Sequence, residues 1–86
     1  MYKKEMGTSL ARTNDEFYIV KYNDVYQINE TSARIFELCN GKTSVDEIIS
    51  KLFAFYELSS NEFAEFEVDI TTFLNELVNL GLIRKR

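Results

Sequence analysis

The chain has 86 residues, 45% hydrophobic and 14% aromatic, with a formal net charge of −4, one cysteine and no histidine. This length and composition predict one folded domain, residues 1–86, with a single hydrophobic core. The cysteine and histidine counts exclude disulfide frameworks, zinc sites and Cys-His or Ser-His nucleophiles, so we expect neither a metal nor a cofactor. No apolar run approaches the roughly 20 residues that span a bilayer, and no signal peptide is evident, so we expect a cytoplasmic protein without membrane contact.

The two ends of the chain are weakly patterned. The polar segment from Met1 to Arg12 leaves two interpretations open: residues 1–8 are disordered, or the segment pairs as a strand around residues 9–12. At the other end, the apolar pair Leu82-Ile83 predicts a short strand that lies against a preceding hairpin.

That hairpin is predicted by two runs rich in β-branched and aromatic residues, EFYIVKY at residues 16–22 and DVYQI at residues 24–28. We expect Asn23-Asp24 to form the turn, because both residues tolerate the positive φ of a two-residue loop.

The first helix follows directly. Asn29 is its expected N-cap, and Asn40-Gly41 is its expected end, because glycine accepts the left-handed conformation of a C-terminal cap. Apolar residues recur between them at helical spacing and include Cys39, which we therefore interpret as a small buried hydrophobe and not as a reactive thiol.

A second helix is predicted from about Val45 to Tyr56. Two overlapping capping frames precede it, one starting at Thr43 and one at Ser44, and the sequence does not choose between them. The third helix is predicted to run to Leu80, where Gly81 ends it, because its apolar residues keep a 3.6-residue period.

A hairpin, three helices and a strand-like end give an α+β, winged-helix-like arrangement, with a small antiparallel β-sheet of two to three strands at the amino terminus and a short C-terminal strand. A winged helix suggests DNA binding, but charge argues against it. No Lys or Arg lies between Lys51 and Arg84, whereas six acidic residues do. Because affinity for nucleic acids comes mainly from cations that neutralise phosphates, the third helix would repel DNA.

Two segments carry a family resemblance: INETSARIFELCNGKTSVDEI from Ile28, and DITTFLNELVNLGLI from Asp69. In order and spacing the chain resembles the PqqD-like family over about residues 18–83. Members of this family are recognition elements for the leader segments of ribosomally synthesised and post-translationally modified peptides (RiPPs). Departures from the family pattern occur at Phe36, Asn40 and the turn Asn23-Asp24.

The resemblance implies a peptide-binding module without catalysis of its own. A precursor's leader peptide would add as a strand to the sheet edge beside residues 25–28, with its apolar side chains in a groove against the third helix. The implied peptide-binding residues are Val25, Tyr26, Gln27, Ile28, Phe66, Asp69, Ile70, Phe73, Leu74, Glu76 and Leu77. Asp69 and Glu76 would rim this groove and favour a leader that carries Lys or Arg.

The same resemblance implies a separate maturation enzyme, to which the bound leader is delivered. A leader protease, as in lasso-peptide pathways, is favoured over a radical SAM enzyme by overall likeness alone.

Several alternatives remain open on the residues. Aromatic strands and apolar helix stripes commonly form core, and the sequence does not say which face of the edge strand meets a leader. An exposed apolar edge could also be covered by a second copy, giving a homodimer by strand exchange. A regulatory domain of winged-helix type that docks a folded protein through the acidic third helix is the alternative function. A small enzyme would depend on Asp, Glu or Tyr, and no paired carboxylates stand out.

Overall fold

The computed structural model describes every residue from Met1 to Arg86 and confirms the α+β class. Its strands are β1 (Tyr2–Lys4), β2 (Thr8–Thr13), β3 (Glu16–Lys21), β4 (Asp24–Ile28) and β5 (Ile83–Lys85). Its helices are α1 (Glu30–Glu37), α2 (Val45–Phe55) and α3 (Phe63–Asn79), the last preceded by a 3-10 turn over Ser60–Glu62. The strands form two antiparallel sheets, β2-β3-β4 and β1-β5, so the likeness to a winged helix is only loose.

The hairpin of β3 and β4 is present, but its turn lies one residue earlier than expected. Lys21 pairs with Asp24, so the loop residues are Tyr22 and Asn23, and the positive φ falls on Tyr22 at 53°. In the observed register Ile19 lies opposite Tyr26 and Phe17 lies opposite Ile28, so apolar side chains pair across the two strands. A turn at Asn23-Asp24 would instead place Lys21 opposite Tyr26, so cross-strand packing outweighs the turn preference.

Both chain ends are built into the fold. The strand considered around residues 9–12 exists within β2. Disorder was the other interpretation for residues 1–8, but this segment contains strand β1. Tyr2 of β1 is only 7% exposed and belongs to the core. The carboxyl-terminal strand β5 pairs with β1, with Tyr2 opposite Lys85, and not with the hairpin as the sequence suggested.

Helix α1 begins as expected but ends earlier. The Asn29 side chain accepts a 2.7 Å hydrogen bond from the Ser32 backbone N–H, which is N-cap geometry. The helix ends at Glu37, because Asn40 bridges to β1 and the N–H of Gly41 donates to the Tyr2 carbonyl at 2.8 Å. The positive φ of Gly41, 79°, therefore serves this contact with β1 and does not cap α1.

Helices α2 and α3 lie close to the bounds predicted from the sequence. A capping box between Ser44 and Glu47 begins α2, which decides between the two overlapping frames. Helix α3 ends in a Schellman motif: Gly81 has φ of 73°, and the N–H of Leu82 donates to the Leu77 carbonyl at 2.9 Å.

One core unites these elements. It buries apolar side chains of β1, β3, all three helices and the carboxyl-terminal end, and the largest fully buried residues are Phe36, Ile19, Ile48, Ile70, Leu74, Leu82, Ile83 and Cys39. Burial raises the pKa of the Cys39 thiol to about 11, and the sulfur donates to the Ile35 carbonyl, as expected for a core residue. None of the helices combines the length and the apolar character that crossing a membrane requires.

Candidate functional site

The free edge of strand β4 is the first component of the candidate site. In the order β2-β3-β4, strand β4 has a partner on one side only. Lys21 and Asp24 flank a two-residue loop and form a hydrogen-bonded pair, and such pairs alternate with non-bonded pairs along an antiparallel ladder. The backbone N–H and C=O groups of Val25 and Gln27 therefore point away from β3. They are available to another strand.

Helix α3 provides the opposite wall. Between it and β4 lies a cavity of about 370 Å³, which we call the strand groove. Its lining combines residues of β3, β4, the start of α1 and the carboxyl-terminal half of α3 with the segment that follows: Ile19, Tyr26, Gln27, Ile28, Asn29, Ser32, Phe73, Glu76, Leu77, Leu80 and Leu82. An extended backbone at the β4 edge would place alternate side chains over this mainly apolar floor.

The groove does not end where β4 ends. Asn29, Ser32 and Phe73 also line a cavity of about 280 Å³ between α1 and α3, the connecting cavity. Beyond it lies a third cavity of about 480 Å³, which we call the acidic pocket and which is lined by Thr31, Tyr56, Leu58, Glu62, Glu65, Phe66 and Asp69. The three cavities share lining residues, so they form one furrow along α3.

Most of the residues expected at the site lie along this furrow. The strand groove contains Tyr26, Gln27, Ile28, Phe73, Glu76 and Leu77, and the connecting cavity contains Phe66, Asp69, Ile70 and Phe73. Two expected residues do not line it. Leu74 is fully buried in the core, and Val25, 60% exposed, lies on the opposite face of β4 and offers only its backbone to the edge.

Sequence reasoning missed several lining residues. Leu80 continues the helical spacing of Phe73 and Leu77, so the periodicity could have identified it. Tyr56 and Leu58 carried no such signal, because their place in the acidic pocket depends on how the end of α2 meets α3.

The electrostatics of the furrow are one-sided. Helix α3 carries acidic residues and no basic ones. The three ion pairs of the chain join Arg12 to Asp15, Arg34 to Glu30 and Arg84 to Glu5, so the carboxylates along the furrow have no cationic partner. An exposed strand edge, an apolar floor and unpaired carboxylates together suit an extended peptide with apolar and cationic side chains.

Comparison with known proteins identifies the family of this chain. Residues 14–83 match the family described as coenzyme PQQ synthesis protein D (PqqD). The chain belongs to the PqqD family. A PqqA binding protein from Methylococcus capsulatus (strain ATCC 33009 / NCIMB 11132 / Bath) is 33% identical over 69 residues, which cover 79% of this chain and 69% of that relative.

Two solved structures share the fold of this PqqD-family chain. One is TbiB1 in complex with the TbiA(beta) leader peptide, with a TM-score of 0.79, 21% identity, and coverage of 98% of this chain and 96% of the other. The second is a lasso peptide synthetase B1 complexed with the leader peptide, with a TM-score of 0.79, 20% identity and 98% coverage of both chains. At this identity the likeness establishes the shared fold.

Proposed function

We propose that this PqqD-family chain binds the leader segment of a ribosomally synthesised precursor peptide as an added strand at the free edge of β4. The observation that carries this proposal is the position of that edge: its outward backbone groups border an apolar groove whose other wall is α3. The relative that is named for PqqA binding, and the two structural neighbours that hold leader peptides, support the same class of ligand.

The physics is that of β-augmentation. Backbone hydrogen bonds with Val25 and Gln27 would provide affinity that does not depend on the leader's side chains. Specificity would come from the side chains that enter the strand groove, because only alternate residues of a strand point to one face. Tyr26 and Ile28 are the half-buried residues of β4, so the groove-facing side of the edge is the one that reads the leader.

Binding then serves delivery to a separate maturation enzyme, a leader protease or a radical SAM enzyme. A bound leader keeps the remainder of the precursor close to that enzyme, which replaces a bimolecular encounter by a high effective concentration. The neighbour named lasso peptide synthetase B1 supports a lasso-peptide pathway, whereas the family description and the PqqA binding relative support coenzyme PQQ synthesis.

The test is a fluorescence-anisotropy titration with the labelled leader of the precursor reading frame nearest to this gene. Gln27→Pro removes an outward N–H from β4, and proline is tolerated at a sheet edge, so the hairpin should persist while affinity falls at least about 10-fold. Phe73→Ala removes a wall of the strand groove, and we expect a similar loss.

Matched changes elsewhere complete the design. Arg12→Pro removes an outward N–H from β2, the other free edge, and Phe63→Ala truncates the same residue type on α3 outside the furrow. Both should bind like the wild type. Equal effects of Gln27→Pro and Arg12→Pro, or no binding by the folded wild type, would refute strand addition at β4 and favour docking of a folded protein through the acidic face of α3.

A further inference from the structure

We infer that the acidic pocket at the amino-terminal end of α3 is a second recognition site, which takes an Arg or Lys side chain of the same peptide. This inference rests on the proposed function, and it adds a sequence requirement: a basic residue at a fixed distance from the apolar residue that occupies the strand groove. Only Phe66 and Asp69 of this pocket belonged to the expected site.

The pocket is amphipathic in the way a long basic side chain requires. Its lining combines the half-buried side chains of Tyr56, Leu58 and Phe66 with the exposed acidic residues Glu62, Glu65 and Asp69. The aliphatic stem of Lys or Arg packs on apolar surface while its charged head remains near water and oxygen acceptors. At about 480 Å³ the cavity is larger than the strand groove, at about 370 Å³, so it has room for such a side chain.

The stability of the fold does not account for all three carboxylates of the acidic pocket. Glu62 and Glu65 lie at the start of α3, where negative charge stabilises the helix dipole, but Asp69 lies beyond the first turn. Glu62 accepts a 3.0 Å hydrogen bond from the Ser59 hydroxyl, and no ion pair reaches any of the three carboxylates. All three carboxylates are exposed and therefore remain available to a cation from outside the chain.

Because the furrow is continuous, the distance along α3 between the strand groove and the acidic pocket sets the spacing of the two peptide residues that occupy them. Phe73 in the strand groove and Phe66 in the acidic pocket are two helical turns apart, about 10 Å at 1.5 Å per residue. An extended peptide covers this distance in about three residues. The pocket lies beyond the end of β4 that leads into α1. The basic residue therefore precedes the apolar anchor if the added strand is antiparallel to β4, and follows it if the strand is parallel.

The experiment uses a displayed library of random peptides, selected in parallel on the folded wild type and on a variant with Glu62→Gln, Glu65→Gln and Asp69→Asn. A second variant, with Glu37→Gln, Asp46→Asn and Glu67→Gln, removes the same number of charges from exposed positions outside the furrow. One wild-type peptide is then titrated against all three proteins and against Gln27→Pro, at low and at high salt.

We expect wild-type peptides to carry Arg or Lys about three residues from an apolar anchor, and the pocket variant to lose that enrichment. Affinity of the chosen peptide should fall about 5- to 10-fold in the pocket variant but not in the charge-matched variant, and high salt should reduce the difference. Two results would overturn the pocket and leave strand addition intact. One is that selected peptides lose affinity for Gln27→Pro but show no preference for Arg or Lys. The other is that the two charge variants lose affinity equally. Peptides with the basic preference that are insensitive to Gln27→Pro would support the pocket and overturn strand addition. Selection of no peptide at all would overturn both.

Discussion

The Lys21 ammonium donates a 2.6 Å hydrogen bond to the carbonyl oxygen of Gly81 and so joins the end of β3 to the cap of α3. Gly81 lies between Leu80 and Leu82, which both line the strand groove. The contact therefore ties the hairpin to the helix that forms the facing wall.

Lys21→Met keeps the aliphatic stem and removes this donor. We expect a loss of about 1 kcal/mol in the free energy of unfolding, because the Gly81 carbonyl loses a charge-assisted hydrogen bond. Thermal unfolding followed by circular dichroism should show a Tm lower by about 4–8 °C. The exposed Lys51→Met is the control, and equal melting of the two variants would contradict this role of Lys21.

Asp15→Gly should stabilise the protein. Asn14 and Asp15 form the loop between β2 and β3, and both have positive φ, 50° and 67°. A two-residue hairpin loop with positive φ at both residues prefers glycine. We therefore expect the free energy of unfolding to rise by up to about 1 kcal/mol, despite loss of the exposed Arg12–Asp15 ion pair. Urea unfolding of the variant and the wild type measures this change in stability. The comparison variant Asp15→Ala should instead lose stability, and a gain there would show that the backbone argument is wrong.

Glu76→Gln is expected to separate stability from binding. Glu76 lies in the last turn of α3, where a negative charge opposes the helix dipole and no basic residue compensates. Its removal should raise the free energy of unfolding by about 0.3–1 kcal/mol while it weakens binding of a cationic leader to the strand groove. Glu65→Gln, in the first turn, should lower stability. Both are measured by urea unfolding and anisotropy, and the same sign of stability change in both variants would contradict the dipole argument.

Cys39 should make stability depend on pH in the alkaline range. Burial raises its pKa from 9.0 to about 11, so the folded state favours the neutral thiol. The resulting stabilisation is complete below about pH 9 and is lost as pH rises towards about pH 11, because the unfolded chain releases the proton first. Urea midpoints measured across this range should fall more steeply for the wild type than for Cys39→Ala. Parallel curves would contradict a buried thiol.

Local signals in the sequence predicted the parts of the fold that depend on neighbouring residues. The Asn29 cap, the Gly81 stop and the presence of three helices were predicted correctly, because caps and periodicity act within one element. The end of α1 and the pairing of β5 were not, because both depend on β1, which lies far away in sequence.

The site divides in the same way. Alternation along β4 separates Tyr26 and Ile28 from Val25 and Gln27, since that property is local, but only the structure shows that Tyr26 and Ile28 are the half-buried pair. Spacing along α3 could not separate Leu74, which faces the core, from Phe73, which lines the furrow, because adjacent positions of one apolar stripe are divided only by the packing partners. Tyr56 and Leu58 reach the acidic pocket through a tertiary contact that no local pattern records.

Residue-resolved amide hydrogen exchange, with and without saturating leader peptide, tests strand addition most directly. In the free protein the amides of Val25 and Gln27 point to solvent and should exchange rapidly, whereas that of Tyr26 is bonded to β3 and should be protected. On binding we predict that exchange at Val25 and Gln27 slows at least about 10-fold, because both amides enter a new ladder. Saturable binding that leaves both amides exchanging as in the free protein would contradict the account, since the peptide would then be held without pairing to β4.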